Sequence, residues 1–390
     1  MFTRDHMGPA ALTAVFALSF LAAATVTRLS MAAAHRYALH AIPNQRSSHT
    51  DPTPQLGGLG ASFAPLLFLF YLAAFPPRSG AAGPPVSYHA ALALGALVFF
   101  AVGLWDDVRA LSPKTKLLGQ FAGAAVSFHA LSLIHTAATS LRDPAALVKQ
   151  GGIVALWVCW IVGFVNAYNF MDGMNGKAGV FAVNVLVFTL LILGLVAHAP
   201  GNADNPADGS ASIGLLETRS YLGSQVYVPL AVIAIASVCG FLVFNCRPRA
   251  LVFLGDCGSH FLGFLIAALA FLASESLWGR GRSLLAFVIL LMPFLYDVTY
   301  TMTKRALARK KIWMAHREHL YQRLLICGMS HMRVLGICAA TYVACGVLSV
   351  VCALSEAIVG RLVCVALSLA VMGAYTLFVF RKEAGQSPAL

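Results

Sequence analysis

Residues 225–244 read QVYVPLAVIAIASVCGFLVF, twenty positions without one charged side chain. The hydrocarbon core of a bilayer takes roughly 20 consecutive apolar residues in helical form. A helix is favoured there because it satisfies every backbone N–H and C=O within the segment. One such run also suits the centre of a large soluble domain, so its recurrence decides the fold.

It recurs from end to end. Apolar stretches at 9–33, 56–75, 87–104, 117–136, 151–170, 178–198, 225–244, 258–273, 283–303, 333–354 and 359–381 predict eleven transmembrane helices and an all-α, polytopic membrane protein. The composition agrees: 59% of the 390 residues are hydrophobic and 11% charged, with a mean hydropathy of +0.78. Soluble domains carry about 25% charged residues, and disordered chains have the reverse bias. A single transmembrane domain over 1–390 is expected, because no break is long enough for a soluble one. The break at 199–224 is rich in Gly, Asn, Asp and Ser and reads as a surface loop. The first apolar run outlasts a signal peptide's h-region, and Asp5 offsets Arg4, so it is expected to be a retained helix.

The net charge of +12 raises a nucleic-acid partner in a soluble protein. Here the cations collect in alternate loops instead. Nineteen of the 27 Lys and Arg fall on one side, including Arg28, Arg109, Lys116, Lys177, Arg247 and the 304–323 run. Cytoplasmic loops attract such an excess. The N-terminus is therefore expected outside and the C-terminus inside, as an odd helix count requires, with no nucleic acid as partner. The nine cysteines form no CxxC pair and read as small apolar residues.

Five polar stretches interrupt the pattern: PNQRSSHTDPTPQLGGLG at 43–60, WDDVRALSPKTK at 105–116, NAYNFMDGMNGKAG at 166–179, FLGDCGSHFLG at 253–263 and AHREHLYQRL at 315–324. All are expected on the cytoplasmic face, in loops near 34–55, 105–116, 166–177, 245–257 and 304–332, where they would build one composite site. The adjacent acids Asp106 and Asp107 repel each other and suit a divalent cation with oxygen ligands; a solvated pair balanced by Arg109 and Lys114 is the plainer reading. Asn166, Asn169, Asp172 and Asn175 recur every third residue, which puts them on one helix face. They read as a functional polar face or as a hydrogen-bonded helix seam. Asp256, between glycines before an apolar run, reads as a helix cap or a metal ligand. Asp297 lies inside LLMPFLYDVTYTM at 290–302 and is given no catalytic role. His316, Arg317 and His319 close the most basic stretch, a pattern suited to phosphate more than to zinc.

These motifs, in this order from about Pro43 to Arg323, resemble those of the polyprenyl-phosphate N-acetylhexosamine-1-phosphate transferases, glycosyltransferase family 4, most of all the branch that initiates O-antigen-type polysaccharide. The resemblance implies transfer of a sugar 1-phosphate from a UDP-N-acetylhexosamine to undecaprenyl phosphate, with release of UMP, at the bacterial inner membrane. It implies Mg²⁺, with Mn²⁺ as a substitute. Asp106, Asp107 and Asp256 inherit catalytic roles, with Asp106 as base toward the lipid phosphate; a covalent aspartyl-phosphate route stays open. Asp107, Asp256 and Asp172 inherit metal binding. Asn166, Asn169, Asp172, Asn175, Lys116, His316, Arg317 and His319 inherit substrate binding. A homodimer is compatible with the resemblance. One departure stands out: many relatives carry a second Asp where this chain has Asn175. The peptidoglycan-precursor transferases of the same superfamily are the neighbouring alternative. An ion-coupled transporter is the rival from another class; it would place its acids near the midplane between repeats.

Overall fold

The computed structural model describes residues 8–42, 51–76, 86–135, 144–197, 226–276, 283–311 and 316–385. Residues 43–50 of the first polar stretch, the loop expected at 199–224 and the outer-loop cations Arg4, Arg78, Arg142, Arg219, Arg280 and Arg282 lie outside them.

Among the described residues the chain is helical apart from one short β-ladder. The helices are α1 (Pro9–Arg36), α2 (Gly58–Ala74), α3 (Val86–Val108), α4 (Pro113–His135), α5 (Pro144–Met171), α6 (Lys177–Ala197), α7 (Val228–Asn245), α8 (Gly255–Ser276), α9 (Ser283–Leu307), α10 (Leu320–Ile326), α11 (His331–Leu354) and α12 (Ile358–Ala384). Strands β1 (His40–Ala41) and β2 (Thr53–Pro54) pair antiparallel after α1. All eleven expected helices form, and the protein is an all-α, polytopic membrane protein. Nine of them, among the described residues, are long and apolar enough to cross a bilayer. The other two are α2, with 17 residues, and α4, which opens on Pro-Lys-Thr-Lys and carries Gln120 and Ser127 along its length.

Helix α8 forms the centre. From Cys257 to Ser274 this helix is buried throughout, as expected of a helix that is hydrophobic all round. It packs against α3, α5, α2, α6 and α9. Phe99 of α3 stacks on Phe264 of α8 at 4.9 Å, and Trp160 of α5 donates its indole N–H to the Ala267 carbonyl at 3.0 Å. A second aromatic knot joins α6, α9 and α11: Phe181 lies on Phe294 at 3.6 Å, with Tyr342 edge-on at 5.1 Å. The nine cysteines are free thiols, and most are buried.

Two glycines set the approach of α3 to α8. A Cβ on Gly103 would stand 2.2 Å from the Asp256 carbonyl oxygen, so only glycine lets the α3 backbone reach the first turn of α8. Gly255 opens α8 at φ +72°, and a Cβ there would strike the Gln55 carbonyl at 2.1 Å. Both the conformation and the space demand glycine.

Candidate active site

The C-terminal ends of α3 and α5 meet the N-terminal ends of α4 and α8, and polar residues of four separate motifs come together there. Asp107 is buried at the end of α3. Its Oδ1 accepts the Asp256 N–H at 2.8 Å and its Oδ2 accepts the Cys257 N–H at 2.9 Å. The first N–H groups of a helix lack intrahelical partners, and this carboxylate supplies two of them from 150 residues away. Helix α8 therefore begins at Gly255, three residues before its expected start. Gln55, beside β2, donates to the Asp107 carbonyl at 2.8 Å and ties the 51–57 segment into the same corner.

Lys116, in the first turn of α4, bridges two acids. Its Nζ lies 2.5 Å from Asp106 Oδ2 and 2.9 Å from Asp256 Oδ2. The remaining Asp106 oxygen accepts the Leu111 N–H at 2.6 Å. Asn169, near the end of α5, donates its side-chain amide to Asp256 Oδ1 at 3.0 Å and to Ser259 Oγ at 2.8 Å. Asp106, Asp107, Lys116, Asn169 and Asp256 thus form one connected cluster.

Asp172 follows α5 and completes the acidic surface. Burial, and after it the Asp256 charge, holds its carboxyl well above the usual carboxylate range. Among the described residues no three His, Cys, Asp or Glu side chains stand as a ready-made metal cage. The donor set nonetheless suits a hard divalent ion: Asp106, Asp172 and Asp256 offer carboxylate oxygens, Asp107 has both of its own on main-chain N–H groups, and the Lys116 ammonium stands as a cation between Asp106 and Asp256.

The other expected residues have different surroundings. Asn166 donates to Gln120 Oε1 at 2.6 Å and to the Val162 carbonyl at 2.7 Å, so it belongs to the α4–α5 seam and not to the carboxylate cluster. Asn175 is buried and donates to the carbonyls of Arg247 and Pro248 at 3.1 and 3.3 Å. A carboxylate has no hydrogen to donate there, so this position suits asparagine better than the aspartate that the resemblance implies.

The His-rich loop packs on the far side of the 170–177 turn. The Tyr321 hydroxyl donates to the Phe170 carbonyl at 3.4 Å, and Lys177 Nζ lies 4.2 Å from both the Tyr321 and the Phe294 ring centroids. Glu318 pairs with Arg305 and, at 3.1 Å, with Lys310. His316 and Arg317 stay partly exposed, with the His316 ring 4.9 Å from that of His319. Burial, with the neighbouring His319 and Arg305, pushes the His316 imidazole down to about 4. His319 is only 2% exposed, and its Nδ1 meets Asp297 Oδ1 at 3.0 Å. Sequence reasoning passed over Gln120, Gln55 and the Glu318–Arg305 pair, and it singled out Asp297 as an acid inside an apolar run without giving it a catalytic role.

Comparison with known proteins matches residues 89–274 to the model of glycosyl transferase family 4. That span runs from α3 to α8 and contains Asp106, Asp107, Lys116, Asn169, Asp172 and Asp256, but not the His-rich loop. The chain is 29% identical over 321 residues to the decaprenyl-phosphate N-acetylglucosaminephosphotransferase of Mycobacterium tuberculosis, covering 77% of this chain and 72% of the relative. It is 26% identical over 290 residues to a probable undecaprenyl-phosphate N-acetylglucosaminyl 1-phosphate transferase of Bacillus subtilis, covering 74% and 70%. The phospho-N-acetylmuramoyl-pentapeptide-transferase of Campylobacter lari is 31% identical over 242 residues, covering 57% and 61%.

Proposed function

Because the chain belongs to the glycosyl transferase family 4 superfamily of membrane phospho-sugar transferases, we propose that it moves an N-acetylhexosamine 1-phosphate from a UDP-sugar to undecaprenyl phosphate, releases UMP, and thereby initiates a lipid-linked surface polysaccharide of the O-antigen type. In this reading it sits in the bacterial cytoplasmic membrane with the site toward the cytoplasm. The observation that carries the reading is the Lys116 bridge between Asp106 and Asp256, with Asp107 holding the helix that bears Asp256.

The chemistry has to bring a lipid phosphate and a nucleotide diphosphate together despite their repulsion, which grows as water is excluded. Asp106, partly open at the end of α3, removes the remaining proton from the lipid phosphate. Lys116 lies beside that carboxylate and offers a point charge to the attacking oxygen. Asp256 and Asp172 would hold Mg²⁺, or Mn²⁺ in its place, which when bound neutralises charge on the diphosphate and on departing UMP. Asp107 has both oxygens on amides of α8, so its part is to place Asp256. His316 and Arg317 bind the diphosphate, with His319 beside them. Asn169 orients Asp256 through its amide. An ion-coupled transporter has less support, because the clustered acids stand at helix ends and not at mid-span.

The test is a panel of UDP-N-acetylhexosamines, with UDP-N-acetylmuramoyl-pentapeptide included, offered to the detergent-solubilised protein with undecaprenyl phosphate. Butanol-soluble label with stoichiometric UMP from a UDP-N-acetylhexosamine supports the reading. Label from the muramoyl donor alone assigns the chain to peptidoglycan precursors. No lipid-linked product from any donor overturns it.

A further inference from the structure

Asp297 is a carboxylate buried inside α9, and the site as described so far does not use it. Burying a charge is costly unless other groups compensate it, so its surroundings should show what it is for. Oδ1 accepts three hydrogens: from His319 Nδ1 at 3.0 Å, from the Leu320 main-chain N–H at 3.1 Å, and from the Thr301 hydroxyl at 3.1 Å. Oδ2 is buried without a hydrogen-bond partner among the described residues. A helix–helix packing role would not leave one oxygen bare and crowd three donors on the other. The crowding serves the loop: two of the three donors belong to consecutive residues, His319 and Leu320, where the chain turns from the His-rich segment into α10.

We propose that Asp297 is a positioning residue for the donor-binding loop. It holds His319 as the Nδ1–H tautomer and pins the start of α10, so that His316 and Arg317 are presented to the diphosphate of the UDP-sugar. The inference rests on the proposed function for the identity of that ligand. The tautomer follows from acceptor chemistry: an ionised carboxylate oxygen can only accept, so the imidazole nitrogen facing it must donate. The His316 ring then packs at 4.9 Å against a ring of fixed orientation, and Gln322 reaches back to the His319 N–H at 3.3 Å to close the turn. Arg305, two residues before the end of α9, holds its other side by pairing with Glu318. Asp297 and Arg305 therefore grip the loop at His319 and Glu318, on either side of one peptide bond, next to His316 and Arg317, which stay partly exposed. An amide at 297 can reverse this pattern, since an Asn side chain can donate to Nδ1 and select the opposite tautomer.

The experiment uses the full chain labelled with ¹⁵N-histidine, with His319 assigned by its loss in His319→Gln, together with steady-state kinetics for each substrate. The wild type is expected to show His319 protonated at Nδ1. Asp297→Asn is expected to lose that tautomer. Its KM for the UDP-sugar should rise about tenfold or more, the scale of a lost charge-assisted hydrogen bond, while the KM for undecaprenyl phosphate stays unchanged. Asp297→Glu, which keeps the carboxylate, should recover part of the donor KM. An Nε2–H tautomer in the wild type overturns the proposal without recourse to any variant. So does an Asp297→Asn protein that melts lower yet keeps both the tautomer and the donor KM. If the wild type turns over no UDP-sugar, the functional reading fails while the tautomer result stands by itself.

Discussion

Asp107 caps the helix that carries Asp256: its two carboxylate oxygens accept the N–H groups of Asp256 and Cys257 at 2.8 and 2.9 Å. The adjacent acids of the Asp-Asp motif therefore do different work. Asp106 faces Lys116, and Asp107 faces a backbone.

This relationship separates the two residues experimentally. Asp107→Asn places an amide against two N–H donors and leaves one without an acceptor. We expect a stability loss of about 1–3 kcal/mol, read as a lower unfolding midpoint, together with a fall in transfer. Asp106→Asn should abolish transfer with little change in that midpoint. Equal stability losses in the two variants would contradict the division of roles.

Lys116 is the only ammonium bonded to the cluster among the described residues. Lys116→Met removes it and leaves Asp106 and Asp256 facing each other uncompensated. Transfer should be lost, and the unfolding midpoint should fall and be restored by millimolar Mg²⁺ more strongly than in the wild type. A variant whose midpoint ignores Mg²⁺ would argue against a cation site between these acids.

Asn175→Asp tests the departure from the family pattern. The asparagine amide donates to the Arg247 and Pro248 carbonyls, so a carboxylate would meet two acceptors with nothing to give. The variant should be destabilised by about 1–3 kcal/mol and gain no Mg²⁺ affinity. Tighter Mg²⁺ binding with unchanged stability would show that the position remains a ligand site.

His316 makes stability depend on pH. Its folded imidazole lies near 4, against an ordinary value of 6.5, with burial as the main cause. Between those values the unfolded chain binds the proton and the folded chain does not, so this contribution is present above 6.5 and is lost as pH falls toward 4. Asp172, raised by burial, slopes the other way. The reading is therefore a difference: on going from pH 7 to pH 5 the wild type should lose more thermal stability than His316→Gln. Equal losses would contradict the lowered His316 imidazole.

The helices and most of the acid cluster were legible in the sequence because both depend on local pattern. Uncharged runs mark the helices, and Asp106–Asp107, Asn169 and Gly-Asp256-x-Gly stand out against an apolar background. The cap given by Asp107, the bridge made by Lys116 and the anchor at Asp297 join residues that are 140 or 150 apart, or lie on separate elements, and no periodicity records such pairings. Asn166 shows the converse. Its three-residue spacing from Asn169 suggested a shared face, yet Gln120 on α4 captures its amide. The boundary of α8 moved for the same reason, since the group that starts the helix belongs to α3.

The most direct measurement follows the β-phosphate of UDP-GlcNAc, or of the best donor in the panel, labelled with ³²P and incubated with undecaprenyl phosphate. The wild type should carry the label into the lipid with one UMP per transfer, stop when EDTA is added, resume with Mg²⁺, and lose the reaction entirely in Asp256→Asn. Lipid labelling that continues in Asp256→Asn, or that is indifferent to EDTA, would contradict a shared acidic site at the meeting of α3, α4, α5 and α8.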